Sequence, residues 1–595
     1  YNGGVVAVGD INNDGLEDIF FTANQGANKL YLNKGKFQFE DITLTAGLEG
    51  NSDWNTGVTM VDINNDGWLD IYVCAVTGIQ GFKGYNELYI NQKDGTFKEQ
   101  AAKYGLALQN YSVSAAFFDY DKDGDLDVYI LNHGLHKTSN YSNFENSESR
   151  DEMSSDKLLR NDNGKFIDVS IESKLKLGEF GYGLAVSVAD INKDGWDDLY
   201  ISNDFFEDDY LYINQKNGTF QEKAKSYFSQ VSQFSMGNDI ADLNHDGYPE
   251  IMTLDMLPEE ESILKRSKGN MSLNMLNRKR SLGYLDQFSR NHLQLNTGND
   301  AFLEIAQFSG VDATDWSWSV LFSDFDLDGF QDIHITNGIY RRPNDADYIN
   351  FTSSEDINKK LNLTKLLDSE ALSKMPLGEV PNKIFQGQDN LRFTDKTDQW
   401  IKSPPSLSNG CAIADFDLDG DLDIVINNFN AKATLLENKL ERENKNFIQL
   451  SLNYLNDNLN GIGTTVTVYT NSKMHQQQLD TTRGYQSSLP HKIHFGLGNN
   501  TIDSLVINWP NDKITTLFPE VNQFLKVKYD EVDKIIPKAQ QIKSVQLNAT
   551  LESELSYSEN YYPEFNREKL MPYGITTEGP GITLGDVNND GFDDI

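Results

Sequence analysis

Eight acidic loops with one spacing recur along this chain of 595 residues, and they carry the residues best suited to chemistry. Each reads Asp-x-[Asp/Asn]-x-Asp-Gly-x-x-[Asp/Glu], so side-chain oxygens stand at positions 1, 3, 5 and 9, and a backbone carbonyl is available at position 7. Such ligands suit Ca²⁺, which takes six to eight oxygens at about 2.3–2.6 Å, and the glycine at position 6 allows the loop to wrap around an ion. The loops therefore predict a set of calcium sites.

The four ligand positions of the eight loops hold 27 of the 90 acidic residues, which explains much of the net charge of −39. Bound Ca²⁺ would neutralise part of that charge. The predicted metal ligands are, loop by loop, Asp10, Asn12, Asp14, Asp18, Asp62, Asn64, Asp66, Asp70, Asp119, Asp121, Asp123, Asp127, Asp190, Asn192, Asp194, Asp198, Asp242, Asn244, Asp246, Glu250, Asp324, Asp326, Asp328, Asp332, Asp415, Asp417, Asp419, Asp423, Asp586, Asn588, Asp590 and Asp594.

The residues around the loops predict β-strands rather than helices. Apolar runs such as "GVVAVGD" precede a loop, and runs rich in β-branched and aromatic residues, such as "LEDIFFTAN", follow it. An EF-hand would need a bidentate Glu at position 12 and flanking helices, and neither is present. Each loop is therefore expected to connect the two strands of a β-hairpin.

The spacing of the loops predicts a β-propeller. The first seven loops begin at intervals of 52, 57, 71, 52, 82 and 91 residues, and a repeat near 50 residues with several short strands is typical of a propeller blade. Blade 1 reads as strand A "VVAVGD", the calcium loop, strand B "LEDIFFTA", strand C "NKLYLNKG" and strand D "KFQFEDIT". We predict an all-β protein with a seven-bladed propeller at 1–446. The run "NFIQLSL" either ends blade 7 or opens the next domain, and a strand upstream of Tyr1 is an alternative way to close the ring.

The loops and their "LYxNxxxGxF" tails resemble FG-GAP or VCBS repeats, the blades of integrin-α-like propellers. The segment 447–529 resembles the ASPIC/UnbV domain, with "NGIGTTVTVYT" from Asn460, "RGYQSS" from Arg483, "HFGLG" from His494 and "DSLVINWP" ending at Pro510. The order and spacing of these four pieces make the match specific. The resemblance implies a small β domain behind an FG-GAP propeller, as in cartilage acidic protein relatives and in bacterial surface proteins.

The pattern of blade 1 starts again near the end of the sequence. After a linker at 530–556, the segment 557–595 leads through a Gly-rich strand into the eighth loop at Asp586. We interpret it as the start of a second FG-GAP propeller, truncated after its first hairpin. The chain is accordingly expected to be a fragment of a longer protein, with any signal peptide outside it.

Several classes of protein are disfavoured. An acidic excess of this size repels phosphate backbones, which argues against nucleic-acid binding, and no run of 18 apolar residues predicts a transmembrane helix. No G-x-S-x-G elbow, H-E-x-x-H motif or P-loop is present, so we expect no enzymatic activity. The remaining residues of interest are interpreted as small buried apolar side chains or as surface and loop histidines rather than zinc ligands: Cys74, Cys411, His133, His136, His491 and His494.

Three long insertions fall between strands B and C, at about 132–155, 253–291 and 337–380. In a four-stranded meander these connections leave the ring on the face opposite the calcium loops, and loops on a rigid scaffold commonly carry function. Their basic residues have plainer alternatives, namely solvated helices or pairing of the adjacent arginines with Asp345 and Asp347. The tryptophans are expected to bind a ligand only if a ring reaches the surface, and otherwise to pack in the core. The candidate ligand-binding residues are Arg278, Arg280, Tyr340, Arg341, Arg342, Trp316 and Trp318.

Together these features predict a calcium-stabilised, non-enzymatic binding or adhesion module that works outside the cell or at its surface, and at the outer membrane in a bacterium. Its partner would be a protein or a glycan, bound by the face that carries the insertions. Two alternatives stay open: a carbohydrate-active or other hydrolytic enzyme that uses the same face, and a scaffold that only orients neighbouring domains. An enzyme would show a cleft with convergent polar groups and perturbed pKa values.

Overall fold

The computed structural model describes residues 3–135, 151–178, 181–267, 273–353, 372–441, 443, 445–455, 457–471 and 473–529. The calcium loop predicted at Asp586, the linker 530–556, the second propeller at 557–595 and His136 lie outside the described residues. The described chain is all-β with only short helices, which confirms the predicted class. Among these residues, no helix has the length and apolar character needed to cross a membrane.

Seven blades of antiparallel strands form the propeller. In chain order, blade 1 has β1 (Val6–Gly9), β2 (Asp18–Phe21), β3 (Lys29–Asn33) and β4 (Phe39–Asp41); blade 2 has β5 (Asn55–Val61), β6 (Asp70–Ala75), β7 (Glu87–Asn91) and β8 (Phe97–Glu99); blade 3 has β9 (Ser112–Phe118), β10 (Asp127–Asn132), β11 (Lys157–Asn161) and β12 (Phe166–Asp168); blade 4 has β13 (Gly183–Ala189), β14 (Asp198–Asn203), β15 (Tyr210–Asn214) and β16 (Phe220–Glu222); blade 5 has β18 (Asn238–Ala241), β19 (Glu250–Thr253), β21 (His292–Asn296) and β22 (Phe302–Glu304), with β17 (Gln230–Ser232) and β20 (Asp286–Phe288) paired beside it; blade 6 has β23 (Ser317–Ser323), β24 (Asp332–Asn337), β25 (Lys383–Gln386) and β26 (Thr394–Asp395); and blade 7 has β27 (Ser408–Ala414), β28 (Asp423–Asn428) and β29 (Thr434–Leu436).

The inner strands explain why the ring closes. Strand A of each blade contacts strand A of the next, from blade 1 through blade 7 and back to blade 1. These strands are buried on both faces, as in β5, where all seven residues are buried. An uninterrupted apolar run such as "GVTMVD" is what a strand in that position requires. The register places the residue before the loop opposite the acid at position 9, so that Gly9 pairs with Asp18 and Val61 pairs with Asp70.

Short helices follow the outer strands or belong to the insertions. Three of the helical turns after strand D end at a glycine with a left-handed φ, namely Gly47, Gly105 and Gly310 at +74°, +81° and +79°. The helices are α1 (Thr43–Ala46), α2 (Ala101–Tyr104), α3 (Ala224–Tyr227), α4 (Glu261–Leu264), α5 (Leu273–Ser281), α6 (Ala306–Ser309), α7 (Ala346–Thr352) and α8 (Thr397–Trp400).

The run "NFIQLSL" opens the second β domain and does not complete blade 7. It forms β30, which pairs with β35 and β38 and not with β29, so the described part of blade 7 has three strands. The second β domain packs its own core, in which the rings of Tyr454 and Trp509 stack at 5.4 Å. Its strands are β30 (Asn446–Asn453), β31 (Thr465–Thr470), β32 (Lys473–Gln478), β33 (Thr482–Arg483), β34 (Ser487–Ser488), β35 (Lys492–Gly498), β36 (Ser504–Asn508), β37 (Ile514–Leu517) and β38 (Gln523–Lys528).

One hairpin of the second β domain enters the centre of the propeller. This axial hairpin, residues 482–488, contains β33 and β34 and the "RGYQSS" motif. Ser488 pairs with Ala7 of β1, and Gly484 pairs with Asn238 of β18. The sequence contains the "RGYQSS" motif but does not predict that it lies in the centre of the propeller. The domain boundaries proposed from the sequence stay predictions.

Candidate calcium sites and the insertion face

The seven calcium loops of the described residues share one backbone conformation. Position 4 has a left-handed φ in all of them, from +55° at Leu327 to +62° at His245, and the glycine at position 6 has φ between +83° and +101°. The carboxylate at position 1 accepts the N–H groups of positions 5 and 6. In the first loop, Asp10 accepts from Asp14 at 3.1 Å and from Gly15 at 2.8 Å. These bonds hold the loop as a cup with its oxygens inside.

The acid at position 9 attaches each loop to its own blade. Asp18 is fully buried; one oxygen accepts the N–H of Ile11 at 3.1 Å and the other accepts the N–H of Asn33, in strand C, at 2.7 Å. Strand C therefore fixes the place of a ligand that belongs to the A–B hairpin. The same pair of bonds is made by Asp70, Asp127, Asp198, Asp332 and Asp423.

An asparagine at the end of strand C also links neighbouring loops, and sequence reasoning missed it. Asn33 Nδ2 donates to the carbonyl of Phe416 in the loop of blade 7 at 2.9 Å, and Asn91 Nδ2 donates to the carbonyl of Ile11 in the loop of blade 1 at 2.8 Å. Equivalent bonds come from Asn214, Asn296 and Asn438. The available signal was the recurrent Asn of the "LYxN" tails, because a polar residue repeated at the end of a buried strand needs a hydrogen-bond partner.

The loops fit a hard divalent cation. Carboxylate oxygens of Asp119, Asp121 and Asp127 lie within 4.8 Å of one another, and loops 6 and 7 have the same cluster at positions 1, 3 and 9. Buried loop oxygens without a hydrogen-bond partner include Asp121 Oδ1 and Asp125 Oδ1 in loop 3 and Glu250 Oε1 in loop 5. Burying carboxylates without a counter-charge is costly, and oxygen-only cups of this kind suit Ca²⁺. Bound there, the ion would supply positive charge that stabilises the loop.

The pKa values of the loop carboxyls point the same way. Burial raises the pKa of Asp18, Asp70 and Asp423 to about 8 and that of Asp127 to about 9, although backbone N–H groups oppose the shift. Nearby loop carboxylates contribute to the same rise in pKa. The negative charges are therefore poorly compensated by the protein alone, and a cation in the cup favours the ionised form.

Loop 5 is expected to bind Ca²⁺ most weakly. Its position 9 is Glu250, which is longer than Asp, follows Pro249 and uses one oxygen to accept the N–H of Leu243 at 2.7 Å. We expect Asp246→Ala in this loop to remove less bound calcium and less thermal stability than Asp66→Ala in loop 2. Calcium titration and melting of the two variants test the ranking. Equal losses would contradict it.

The second β domain lies against the face that carries the calcium loops. Lys122 Nζ in loop 3 is 2.8 Å from Asp512 Oδ1. His491 Nε2 is 3.1 Å from the carbonyl oxygen of Met60, and His494 Nε2 is 3.0 Å from that of Gly420. These histidines hydrogen-bond to the propeller backbone across the domain contact, which is a structural role. Cys74 and Cys411 are buried and free, as predicted.

The insertions are joined to one another on the other face. Lys383 Nζ, in the first residue of β25 just after the blade 6 insertion, contacts Glu259 of the blade 5 insertion at 2.6 Å. Arg266 of the same insertion pairs with Asp345 at 3.0 Å and approaches Asp347 at 3.6 Å. These two insertions therefore form one connected surface, which we call the insertion face.

The candidate arginines differ in their surroundings. Arg280 forms two bonds of 2.6 Å with Asp286, and Arg278 is exposed. Arg341 Nη1 donates to the carbonyl of Met375 at 2.7 Å. Lys279, in the middle of the basic run, is buried.

Arg342 does not pair within its own loop. It is only 5% exposed and its Nη2 is 2.7 Å from Asp315 Oδ1, while Arg266 occupies the carboxylates that the sequence offered as partners. Two buried opposite charges attract strongly, and this partner lies outside the local segment. A role in contacting a ligand does not agree with this burial.

The aromatic candidates separate clearly by exposure. Tyr340 is 50% exposed, and the Arg341 guanidinium lies 5.3 Å from its ring centre. Trp316 and Trp318 are 7% and 5% exposed and belong to the main core, where Trp318 packs 5.3 Å from Tyr485. Core packing, the alternative considered for them, describes both tryptophans.

Family models match segments in both parts of the chain. The family model of the FG-GAP-like repeat matches residues 10–73, 75–130 and 190–253, and that of ASPIC and UnbV matches 455–534. Loops 6 and 7 lie outside the matched ranges but have the same geometry. The resemblance inferred from the motifs is confirmed.

Two curated relatives and one solved structure illustrate the similarity. Cartilage acidic protein 1 of Xenopus tropicalis is 23% identical over 566 residues, which is 90% of this chain and 75% of that protein. Integrin alpha-3 of Mus musculus is 23% identical over 222 residues, 34% of this chain and 21% of that protein. An Agrocybe aegerita protein described as recognising non-reducing terminal N-acetylglucosamine aligns with 66% of this chain and 79% of that chain, at 14% identity and a TM-score of 0.35, which supports no functional argument.

Proposed function

We propose that this chain, which combines FG-GAP-like repeats with an ASPIC and UnbV domain, is a calcium-stabilised, non-enzymatic binding module that works outside the cell or at its surface. The observation that carries the proposal is the repeated cup with a buried acid at position 9, together with the orphaned ligand oxygens of Asp121 and Glu250. The similarity to integrin alpha-3 and cartilage acidic protein 1 supports an adhesion-like role. The metal has a structural role in this account.

The insertion face is the proposed site for a partner. The second β domain covers part of the calcium-loop face and the axial hairpin fills the centre of the ring, so the insertions offer the broad surface that remains. The Arg266–Asp345 pair joins the insertions of blades 5 and 6, and Lys383 of β25 pairs with Glu259 beside them. A protein or a glycan would meet exposed Tyr340, with Arg341 beside it, and Arg278.

A double variant tests the face. Tyr340→Ala with Arg341→Ala should abolish binding of any partner found on protein and glycan arrays, because it removes an exposed ring and the cation beside it. Calcium-dependent melting should be unchanged, since neither residue touches a calcium loop.

Phe308→Ala with Arg392→Ala is the matched control. This pair also places an arginine over a half-exposed ring, at 4.0 Å, but Phe308 lies in α6 and Arg392 lies between β25 and β26, outside the insertions. Equal loss of binding in both double variants, or full binding by the insertion variant, would count against the insertion face. Turnover of a bound glycan would favour the enzymatic alternative.

A further inference from the structure

The axial hairpin reaches the inner strands of all seven blades. Backbone bonds join it to blade 2, where Val58 N–H donates to the Gln486 carbonyl at 3.2 Å, and to blade 5, where Gly484 N–H donates to the Asn238 carbonyl at 3.0 Å. Tyr485 N–H donates to Ser319 Oγ of blade 6 at 3.0 Å. The hairpin strands also contact β1, β9, β13 and β27. A single hairpin thus has a partner on every side of the ring.

An ion pair and a tightly packed glycine hold the axial hairpin in the centre of the ring. Arg483 binds Asp239 of blade 5 with bonds of 2.8 and 2.6 Å, and the Asp239 side chain is almost completely buried. Gly484 has φ +72°, and a Cβ atom there would lie 2.4 Å from Ser319 Oγ. A larger residue at this point would therefore oppose seating of the hairpin.

The calcium loops contact the rest of the same domain through residues that are not ligands. Position 4 has a left-handed φ in every described loop, and its side chain contacts the second β domain in loops 3, 4 and 5, whereas Asn13 of loop 1 donates to the carbonyl of Gly67 in loop 2. Lys193 Nζ at position 4 of loop 4 donates to Gln476 Oε1 at 2.6 Å. The ring of His245 at position 4 of loop 5 lies 4.6 Å from that of His475.

Other loops are joined to the domain through their backbone or through position 8. The carbonyl of Leu327 in loop 6 accepts the N–H of Gly498 at 2.9 Å. Glu17 in loop 1 pairs with Lys492 at 2.5 Å. The docking surface is consequently built from the same loops that form the metal cups.

We propose that calcium occupancy controls the seating of the second β domain, so that the loops and the axial hairpin act as one calcium-dependent latch. The inference rests on the proposed calcium binding. An ion holds the loop in the conformation that aims position 4 at the domain. Without the ion, repulsion among the loop carboxylates favours other conformations and weakens the docking contacts. Coupling of this kind is reciprocal, so weaker docking must also weaken calcium binding by the same factor.

Hydrogen exchange on the whole chain tests the latch. In excess chelator, exchange of the amides at 482–488 should become about tenfold faster relative to that of β6 in blade 2. Gly484→Ala should weaken calcium binding severalfold in a calorimetric titration. The control Gly461→Ala also changes a left-handed glycine, at φ +68°, but its Cβ would meet only atoms of its own domain, so calcium affinity should be unchanged.

Two lysine variants distinguish loss of a docking contact from loss of a positive charge near loop 4. Lys193 is position 4 of loop 4 and contacts Gln476, whereas Lys216, in the connection between strands C and D of blade 4, contacts Asp194 of that loop at 3.3 Å. Lys193→Ala should speed exchange of the axial hairpin in calcium, and Lys216→Ala should not. Both variants keep the hairpin sequence, so this arm stays informative if Gly484→Ala does not fold.

Distinct results overturn the latch and the calcium proposal. If calcium binds and raises the melting temperature but hairpin exchange is the same with calcium and with chelator, the latch alone fails. If hairpin and β6 exchange rise together, calcium loss unfolds the chain as a whole and no separate latch exists. If calorimetry detects no calcium binding, both proposals fail.

Discussion

Removal of calcium with excess chelator is expected to lower the melting temperature of this chain by about 10 °C or more. A single site at a hundredfold excess of ligand over its Kd adds about 2.7 kcal/mol to folding, and seven described loops act on one ring. In a unit of about 500 residues, an unfolding entropy of about 2.1 cal/mol/K per residue means that each kcal/mol moves the melting temperature by about 1 °C. Scanning fluorimetry with calcium, with chelator and with calcium restored measures the effect.

The size of this shift has a local explanation. Each loop buries carboxylates whose pKa values are raised by burial. The strand-C asparagines hydrogen-bond to the loop of the neighbouring blade, so a change in the conformation of one loop affects the adjacent blade. Loss of several ions should therefore loosen neighbouring blades together. A melting curve that is the same in chelator and in calcium would contradict the account.

The second large effect concerns the axial ion pair. Asp239→Ala should destabilise the chain by about 3–5 kcal/mol, because it leaves the largely buried Arg483 guanidinium without its carboxylate partner and also removes the acceptor of Phe322 N–H. Chemical denaturation measures the loss. Asp239 lies three residues before Asp242, the first ligand of loop 5, so calcium affinity of the variant is measured beside its stability.

Asp286→Ala is the matched control. The Arg280–Asp286 pair has the same two-bond geometry, but the Arg280 side chain is half exposed, and such pairs contribute at most about 1 kcal/mol. Similar losses from the two variants would show that the axial pair has no special weight, and the hairpin would then be an accessory to a ring that is stable by itself.

Features that repeat in the sequence were predictable. Loop spacing, the apolar inner strands and the "LYxN" tails are local patterns, and eight copies distinguish them from chance. They were enough to place seven hairpins and the cups between their strands. The strand-C asparagine was visible in the same repeats, but its partner lies in another blade, as with Asn33 and Phe416.

Features that depend on contacts distant along the chain were not predictable. Arg483 forms an ion pair with Asp239, and Lys122 forms one with Asp512. No spacing in the sequence predicts either pair. Asp345 and Asp347 are close to Arg342 in sequence, but Arg342 pairs with Asp315, which the tertiary structure brings beside it in a buried position. The position of the second β domain on the calcium face follows from such contacts alone.

The number of calcium ions bound per chain shows whether the repeated acidic loops are metal sites. Equilibrium titration of the whole chain, followed by mass spectrometry under native conditions, counts them. We expect close to eight ions, one for each loop of the sequence, and one fewer in Asp66→Ala. As calcium is lowered, loop 5 should release its ion first. Binding of no calcium, or of a single ion that survives Asp66→Ala unchanged, would contradict this expectation.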